Sequence, residues 1–257
     1  MERAPVSGER GAWVTGASSG IGEALSLGLA RAGWTVAASA RRADRLAAIA
    51  ARPEAGGRIH PFAVDVTDET SVLAVAAAIE ERLGPIETAV LNAGDYTPMP
   101  ARELDTALCR RLMEVNYLGV VNGIAAVLGR QLRRRSGRIL INASVAGYRG
   151  LPRAAAYGAS KAAIINLAES LRAELQGSGV TIRVINPGFV RTPLTAKNDF
   201  AMPALIDAES AAECILRDFD GDGFEITFPK RFTYLMKLLR CLPYRWYFHL
   251  LRAGLGE

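Results

Sequence analysis

The 257-residue chain is predicted to fold as an α/β protein with a single doubly wound parallel sheet and helices on both faces. Two observations predict this fold. Short apolar segments of strand length alternate with longer helical segments along most of the chain. A glycine-rich turn also joins the first strand to the first helix, as in parallel α/β sheets. Residues 1–229 are expected to form this domain, with residues 230–257 as a basic, amphipathic helical extension of it.

The predicted elements follow one another without an interdomain linker. Strands are predicted at Gly11 to Thr15, Trp34 to Ser39, Arg58 to Val64, Ile86 to Leu91, Gly137 to Asn142, Val180 to Ile185 and Phe224 to Phe228. Helices are predicted from the glycine-rich turn to about Ala32, then at Ala43 to Ala51, Asp68 to Leu83, Glu103 to Leu132, around Tyr157 to Leu175, and Asp207 to Phe219. Apolar residues cover most of the long helix around Val115 to Leu128, which indicates burial on several sides. This stretch and Ala162 to Leu175 are the predicted contacts of a homodimer.

The first turn is the segment with the clearest ligand signature. It reads Thr15-Gly16-Ala17-Ser18-Ser19-Gly20-Ile21-Gly22, directly after a strand and at the start of a helix. Gly16 allows a tight turn, Gly20 lets the backbone approach a pyrophosphate, and Gly22 lets the helix pack close to the strand. The free N–H groups of the helix start would then face the phosphates. The alternative is a tight turn that binds nothing.

The end of the second strand bears on which dinucleotide is bound. Folds that bind NAD usually place an acidic residue there to hold the ribose 2′-hydroxyl group. Here the sequence is Ser39-Ala40-Arg41-Arg42, without a carboxylate. Because arginine can hold a 2′-phosphate through paired hydrogen bonds, NADP is expected, with Arg41 the better candidate and Arg42 the weaker, and NAD is less favoured. The alternative is that both arginines only begin the next helix and face water.

Tyr157 and Lys161 carry the candidate chemistry. Four residues apart on a helix, they share one face. A free tyrosine has a pKa of about 10, so it needs a neighbouring positive charge to exchange protons readily near neutral pH. Lys161 is expected to lower the pKa of Tyr157. The alternative is an ordinary surface pair, because this spacing also arises by chance.

Composition and charge argue against several other classes of protein. The chain has only two histidines and three widely separated cysteines, so no metal site is predicted, and the free cysteines suit the reducing cytoplasm. No signal peptide is expected at Met1 to Arg10, and no uninterrupted apolar run is long enough for a transmembrane helix. The net charge is +5, but residues outside 230–257 contain equal numbers of basic and acidic side chains. Nucleic-acid binding is therefore not expected.

The extension contains all of the excess positive charge and divides at Pro243. Its first part is predicted as a helix with a polar stripe of Thr233, Lys237 and Arg240, while Phe232, Leu235, Met236 and Leu239 face away from it. The second part has a stripe of Arg245, His249 and Arg252 among aromatic and aliphatic residues. Such helices could lie in a membrane interface, so peripheral membrane contact is one expectation. The alternatives are packing on the protein itself or on a second subunit, and a lid over the active site.

These motifs, in this order, resemble the short-chain dehydrogenase/reductase family over about Gly11 to Phe228. The resemblance includes the glycine-rich turn, Asp65, Asn92-Ala93-Gly94, Asn116, Ser144, Tyr157-x-x-x-Lys161, Pro187-Gly188 and Thr192. It implies a Rossmann fold. It also implies that Tyr157 is the general acid or base, that Lys161 lowers its pKa and holds the nicotinamide ribose, that Ser144 binds the substrate oxygen, and that Asn116 holds a water. For the cofactor, it implies contacts from Asp65 and Val66 to the adenine, from Asn92, Ala93 and Gly94 to the ribose, and from Pro187, Gly188, Val190 and Thr192 at the nicotinamide end.

The expected function is NADP-dependent interconversion of a ketone and a secondary alcohol. An apolar, lipid-like substrate is favoured by the extension and by a loop containing Leu194, Phe200, Met202, Leu205 and Ile206. One alternative is the same chemistry on a small polar carbonyl compound. The other is a non-catalytic NADP-binding protein that acts as a scaffold or at a membrane. Many family members end soon after the last strand, so the extension puts their usual tetramer in doubt here.

Overall fold

A parallel sheet of seven strands organises the computed structural model, which describes residues 10–254. The strands lie in the order β3-β2-β1-β4-β5-β6-β7. They are β1 Gly11–Thr15, β2 Thr35–Ala40, β3 Ile59–Ala63, β4 Thr88–Leu91, β5 Gly137–Asn142, β6 Val180–Pro187 and β7 Glu225–Phe228. The predicted doubly wound α/β fold is therefore confirmed. The predictions for the residues before Arg10 and for the last three residues of the extension lie outside the described residues.

Helices cover both faces of the sheet. They are α1 Gly20–Arg31, α2 Ala43–Ala50, α3 Glu69–Leu83, α4 Thr106–Met113, α5 Gly119–Arg134, α6 Ala155–Glu174, α7 Ala208–Arg217, α8 Lys230–Arg240 and α9 Tyr244–Gly254. On one face α1 packs against α7, and on the other α3 packs against α5. Asp68 and Asp207 cap α3 and α7 by accepting hydrogen bonds from backbone N–H groups of the first turn.

The strand order reverses beside β1, which pairs with β2 on one side and β4 on the other. In open parallel sheets, ligands bind beyond the carboxyl ends of the strands at such a point. The buried indole of Trp13 donates a hydrogen bond to Ser39 Oγ at 2.9 Å, which joins β1 and β2 below that crevice. A buried side-chain hydrogen bond therefore joins two of the strands that end at the crevice.

The long helix differs from its prediction. It begins at Thr106 rather than Glu103 and is interrupted by a π-helical turn at Glu114–Leu118. The run Thr106–Arg134 is long and apolar enough to cross a membrane, because its most apolar window has a mean hydropathy of 1.4. No such helix was predicted, since the sequence contains no uninterrupted apolar run of sufficient length. Here it packs on α3 and along β4 and β5, and 44% of its most apolar window is buried. A core helix of a soluble protein passes the same test.

The extension forms the two predicted helices, but the buried side of α8 includes part of the predicted polar stripe. Thr233 is fully buried beside Met236, and Lys237 forms an ion pair with Glu225. Tyr234, Leu235 and Leu238 are exposed instead. The predicted stripe is therefore divided between the two sides of α8: Thr233, whose hydroxyl donates to the Lys230 carbonyl, is buried, Lys237 is paired with Glu225, and Arg240 is exposed.

Arg149, in the loop before α6, holds the extension against the domain. Its guanidinium donates hydrogen bonds to the carbonyls of Leu239, Arg240 and Leu242 at the end of α8. It also stacks on the ring of Tyr247 at 3.9 Å from the centroid, and the Tyr247 hydroxyl donates to the Gly150 carbonyl at 2.5 Å. Tyr247 is buried. One side chain thus joins both helices of the extension to the same loop.

Candidate active site

A cavity of about 1390 Å³ lies beyond the carboxyl ends of the central strands. This exceeds the usual range of about 300–1,000 Å³ for a small-molecule pocket, so it has room for a dinucleotide together with a substrate. The predicted residues that line it are Gly16, Ser18, Ser19, Gly20, Ile21, Arg41, Arg42, Asp65, Val66, Asn92, Ala93, Gly94, Ser144, Tyr157, Pro187, Gly188, Val190 and Thr192. Thr15, Gly22, Asn116 and Lys161 lie just behind this wall.

The glycine-rich turn has the geometry of a phosphate cradle. Gly16 and Gly20 have positive φ values of 67° and 57°, which favour glycine. A Cβ at Gly16 would lie 2.8 Å from Ala93 Cα, and one at Gly20 would lie 2.9 Å from Thr192 Cγ2. A Cβ at Gly22 would be 2.4 Å from the Gly16 carbonyl oxygen. The turn is therefore tight, and the start of α1 faces the cavity.

Hydrogen bonds join the first turn to the segment after β4. Thr15 Oγ1 accepts from the backbone N–H groups of Asn92 at 3.0 Å and Ala93 at 3.1 Å. The Asn92 amide donates to the Thr15 carbonyl and accepts from Asn142 Nδ2 at 2.8 Å. Thr15 is thus placed to position the Asn92–Gly94 backbone from behind.

The two arginines after β2 both reach the cavity from exposed positions. Arg42 Nη2 donates to Ser18 Oγ at 3.0 Å, which ties this arginine to the glycine-rich turn. Arg41 lines the cavity beside it. Two guanidinium groups next to a phosphate cradle, with no carboxylate at the end of β2, suit an additional phosphate.

Asp65 and Val66 form the opposite side of this region. Asp65 Oδ1 accepts from both the backbone N–H and the hydroxyl of Thr67. The Val66 carbonyl accepts from Asn122 Nδ2 at 2.9 Å. Thr192, whose methyl group lies close to Gly20, is held by a turn in which its backbone N–H donates to Thr195 Oγ1. These contacts place the cofactor candidates from several loops around one space.

Tyr157 lines the cavity, and Lys161 lies directly behind it. Lys161 Nζ lies 5.7 Å from the centre of the Tyr157 ring and donates to the Asn142 carbonyl at 2.8 Å. Tyr157 is partly exposed to the cavity, whereas Lys161 is buried. Burial lowers the pKa of Lys161 to about 7, because the charged form loses its water.

The expected direction of the Tyr157 pKa is wrong in this structure. Burial raises it to about 12, and a hydrogen bond from Ser144 opposes this only in part. The expectation treated Lys161 as a fixed full charge. Lys161 is itself buried, so at neutral pH its amine is charged in only part of the molecules and lowers the pKa of Tyr157 less than a permanent charge would. At neutral pH Tyr157 is therefore protonated and able to donate.

Ser144 and Asn116 are fixed by backbone contacts. The Ser144 backbone N–H donates to Asn186 Oδ1 at 3.1 Å. Asn116 is fully buried in the π-helical turn, accepts from the Asp95 N–H at 2.7 Å and donates to Ser160 Oγ at 2.9 Å. A Cβ at Gly94 would lie 3.3 Å from Asn116 Oδ1 and 3.6 Å from Lys161 Nζ, so both groups border the space that a side chain at this position would fill. Such π-helical turns are frequent at functional sites.

A polar network behind Ser144 was not predicted. Asn186 Nδ2 donates to Glu225 Oε1 at 2.6 Å, and the same carboxylate accepts from the Tyr148 hydroxyl and from Lys237. Burial alone would raise the pKa of Glu225, but these donors lower it overall. The network thus connects Lys237 on the extension to the backbone of Ser144. No short motif signals it, because its members lie on four separate elements.

The substrate end of the cavity is mostly apolar, and part of it was also missed. Tyr96 packs edge-on against Tyr157 with ring centres 4.9 Å apart, and its hydroxyl donates to Asn198 at 2.7 Å. The other apolar or aromatic residues on this wall are Val145, Leu151, Phe189, Leu194, Phe200, Phe232, Leu250 and Leu251. Leu194 and Phe200 were predicted here, whereas Met202, Leu205 and Ile206 do not line the cavity.

Comparison with known proteins agrees with this site. The family model described as short chain dehydrogenase matches residues 10–202. An uncharacterized oxidoreductase of Myxococcus xanthus is 37% identical over 91% of this chain and 93% of its own. Sulfoacetaldehyde reductase 2 of Chromohalobacter salexigens is 36% identical over 71% and 73%, respectively. The structure of an alcohol dehydrogenase from Thermococcus sibiricus, complexed with 5-hydroxy-NADP, is 29% identical, with a TM-score of 0.77 over 86% of this chain and 96% of that one.

The fold and the glycine-lined cavity define a Rossmann-fold oxidoreductase that uses a nicotinamide dinucleotide. The chain belongs to the short-chain dehydrogenase/reductase family, and it is a dehydrogenase or reductase.

Proposed function

We propose that this enzyme uses NADP to interconvert a ketone and a secondary alcohol, with Tyr157 as the general acid and base. The observation that carries the proposal is the placement of Tyr157 and Ser144 in the lining of the cavity that the glycine-rich turn borders, with Lys161 directly behind Tyr157. When bound, the nicotinamide would supply or accept the hydride. The protein then has to orient the carbonyl group and move one proton.

Each polar side chain has a defined task in this scheme. In reduction, the Tyr157 hydroxyl donates its proton to the carbonyl oxygen, and in oxidation it takes that proton back. Ser144 binds the same oxygen. Lys161 would hold the nicotinamide ribose, and Asn116 would hold a water next to Lys161. When Lys161 is protonated, its charge would oppose the effect of burial on the pKa of Tyr157. Support comes from the buried Asn116 and Lys161 side chains, whose polar ends both lie within 3.6 Å of the position that a Cβ at Gly94 would take.

Preference for NADP is supported by Arg41 and Arg42, which line the cavity after β2. The solved relative from Thermococcus sibiricus, which was complexed with 5-hydroxy-NADP, agrees with this choice. The proposed cofactor contacts otherwise follow the cavity: the glycine-rich turn at the pyrophosphate, Asp65 and Val66 at the adenine, Asn92 to Gly94 at the ribose, and Pro187 to Thr192 at the nicotinamide.

An apolar, lipid-like substrate is supported by the wall opposite Tyr157. Phe189 packs on Phe200 and Phe232, with ring centres 6.0 and 5.6 Å apart. Leu250 and Leu251 of the extension complete this wall. The relative named as a sulfoacetaldehyde reductase favours the second candidate, a small polar carbonyl compound. Arg153 on the same wall would then be the group that binds it, although Arg153 is already paired with Asp199.

The test is a screen of ketones and alcohols of different chain length with NADPH and NADH, followed by nicotinamide absorbance. Turnover of medium and long ketones with NADPH is expected. The Tyr157→Phe variant should bind NADPH normally and lose activity by about 10²–10⁴-fold, because only the proton donor is removed. Near-normal turnover by this variant would exclude the mechanism. NADPH binding without turnover of any substrate would favour a non-catalytic scaffold.

The assembly and location form a further part of the proposal. Residues 1–229 and the extension 230–257 are proposed to act as one domain in a cytoplasmic homodimer that contacts a membrane peripherally. Support for the dimer comes from exposed apolar positions along the long helix, Leu118 in the π-helical turn and Ala125 on α5. Light scattering of the wild type and of an Ala125→Glu variant tests it: the variant should be monomeric and still bind NADPH.

A further inference from the structure

The outer surfaces of α8 and α9 combine exposed apolar side chains with positive charge. Leu238 is 64% exposed, Trp246 60% and Tyr244 72%, and Tyr234, Leu235 and Phe248 are also exposed. Apolar side chains scattered singly on a surface need no explanation, but this is a concentration on two neighbouring helices. The exposed basic residues here are Lys230, Arg231, Arg240, Arg245 and Arg252, and no acidic residue occurs between Ile226 and Gly256. We call these residues the extension surface.

We infer that the extension surface docks on an anionic phospholipid bilayer. The charge supports this partner, because a bilayer with anionic headgroups attracts clustered arginine and lysine. The residue types support it as well, since tryptophan and tyrosine favour the region between headgroups and acyl chains. The helices have 11 residues each, so they are too short to cross a bilayer and would lie along it.

A second copy of this chain is the competing occupant. In a twofold dimer, the same patch meets itself, so the basic residues of one copy would face those of the other. Lys237 is neutralised by Glu225, but Arg231, Arg245 and Arg252 have no carboxylate on their own helices. Self-association through this surface would therefore bring like charges together, whereas an anionic bilayer would neutralise them.

The same helices also line the cavity, so docking on a bilayer would bring the cavity close to the lipid. Phe232 of α8 packs against Gly188, and a Cβ at position 188 would lie only 2.7 Å from the Phe232 ring. Leu250 is half exposed at the surface and also lines the cavity together with Leu251. An apolar substrate dissolved in lipid would thus enter along α9 without crossing bulk water. This link rests on the proposed reduction of apolar ketones, whereas the docking itself does not.

Flotation of the full chain with lipid vesicles tests the docking directly. The probes are vesicles of phosphatidylcholine alone and of phosphatidylcholine mixed with phosphatidylserine. The wild type should float with the mixed vesicles, less so at high salt, and not with phosphatidylcholine alone. Each surface arginine is expected to change partitioning about fivefold, so Arg245→Gln with Arg252→Gln should weaken it roughly 25-fold. Leu235→Ser with Leu238→Ser should weaken it as well.

Two matched controls lie on helices outside the extension. Leu73→Ser on α3 removes an exposed leucine, and Arg133→Gln on α5 removes an exposed arginine. Both should float like the wild type. NADPH binding, measured by the rise in melting temperature, shows that each variant is folded and is independent of the lipid result. Failure of docking therefore leaves the proposed reaction intact, and loss of turnover leaves the docking intact.

Several results would overturn the inference. These are the absence of flotation, equal flotation with both kinds of vesicle, and unchanged flotation of both pairs of extension variants. A wild-type dimer that Leu235→Ser with Leu238→Ser converts to a monomer, without vesicle binding, would assign the surface to a second copy instead.

Discussion

At the scale of the residue, the site depends on how burial divides protons between Tyr157 and Lys161. Burial raises the pKa of the tyrosine to about 12 and lowers that of the lysine to about 7. Both shifts favour the neutral forms. The free protein thus has a protonated tyrosine ready for reduction and a lysine whose charge is sensitive to small changes in its surroundings.

Lys161→Met is predicted to stabilise the cofactor-free protein at neutral pH. Because the folded-state pKa lies below the ordinary 10.5, the unfolded chain binds more protons between about pH 7 and 10.5, and wild-type stability from this group rises with pH across that window. The substitution removes an unfavourable energy of burying the lysine, which is at most roughly 5 kcal/mol. Loss of the lysine's hydrogen bond to the Asn142 carbonyl makes the net gain smaller. Urea unfolding at pH 7 and pH 9.5 measures it. A gain that does not shrink at the higher pH would contradict the assigned burial effect.

Arg41→Ala is predicted to weaken NADPH binding much more than NADH binding. A hydrogen bond to a charged group contributes about 1.5–3 kcal/mol, which corresponds to roughly ten- to over a hundredfold in affinity. Titration of both cofactors into wild type and variant gives the ratio of the dissociation constants. Arg45→Ala on α2 is the control, since Arg45 is exposed and does not line the cavity. A wild type that prefers NADH would exclude the NADP proposal.

At the scale of the element, the Glu225 carboxylate connects β6, β7 and α8 with the segment that follows β5. Asn186 at the end of β6 contacts the Ser144 N–H on one side and Glu225 on the other, and Lys237 of α8 completes the chain. The orientation of the Asn186 amide therefore depends on a charged acceptor. An extension helix in this way supports the position of a proposed catalytic serine.

Lys237→Met is predicted to lower both kcat and stability, and adding Glu225→Gln should restore much of each. The single change leaves a half-buried carboxylate without its cation, at a cost of about 1 kcal/mol, since the lysine is partly exposed. The double change leaves an uncharged amide that still accepts from Asn186. Arg130→Met, which breaks an ion pair with Glu80, is the control and should lower stability alone. Additive effects of the two changes on kcat would exclude the connection.

Sequence patterns predicted the elements better than their contacts. The glycine-rich turn, the Tyr157–Lys161 spacing and the strand pattern depend on residues close together in the chain, so the sheet and most of the cavity lining could be predicted. The Glu225 network and the contact of Tyr96 with Tyr157 join residues far apart in sequence, and no local pattern predicts them. The side of α8 that packs on the domain could not be predicted from polarity, because Lys237 of the polar stripe pairs with the half-buried carboxylate of Glu225.

At the scale of the whole molecule, the extension is both a wall of the cavity and an outer surface. Met236 packs in the same apolar cluster as the sheet, while Leu235 and Leu238 on the same helix are exposed. The extension can therefore affect both stability and substrate access.

Truncation after Pro229 is predicted to leave NADPH affinity nearly unchanged and to raise KM for long-chain ketones more than for short ones. Loss of the buried Met236 and Tyr247 should also lower the free energy of unfolding by about 1.5–3 kcal/mol for each side chain. Cofactor titration comes first, to show that the shortened chain is folded. Equal treatment of long and short ketones by the folded truncation would mean that the extension only packs, and the proposal of a lipid-like substrate would fail.

The position of Arg149 has a consequence for the order in which parts of the protein open. Its guanidinium group is bonded to three carbonyls at the end of α8 and stacked on Tyr247 of α9, directly before Gly150 and the cavity residue Leu151. Local unfolding of either helix would remove these partners and release the loop as well. Amide hydrogen exchange should therefore show α8, α9 and residues 149–153 opening as one cooperative unit, at a lower free energy than the sheet, and a ligand that contacts only the loop should slow exchange in both helices.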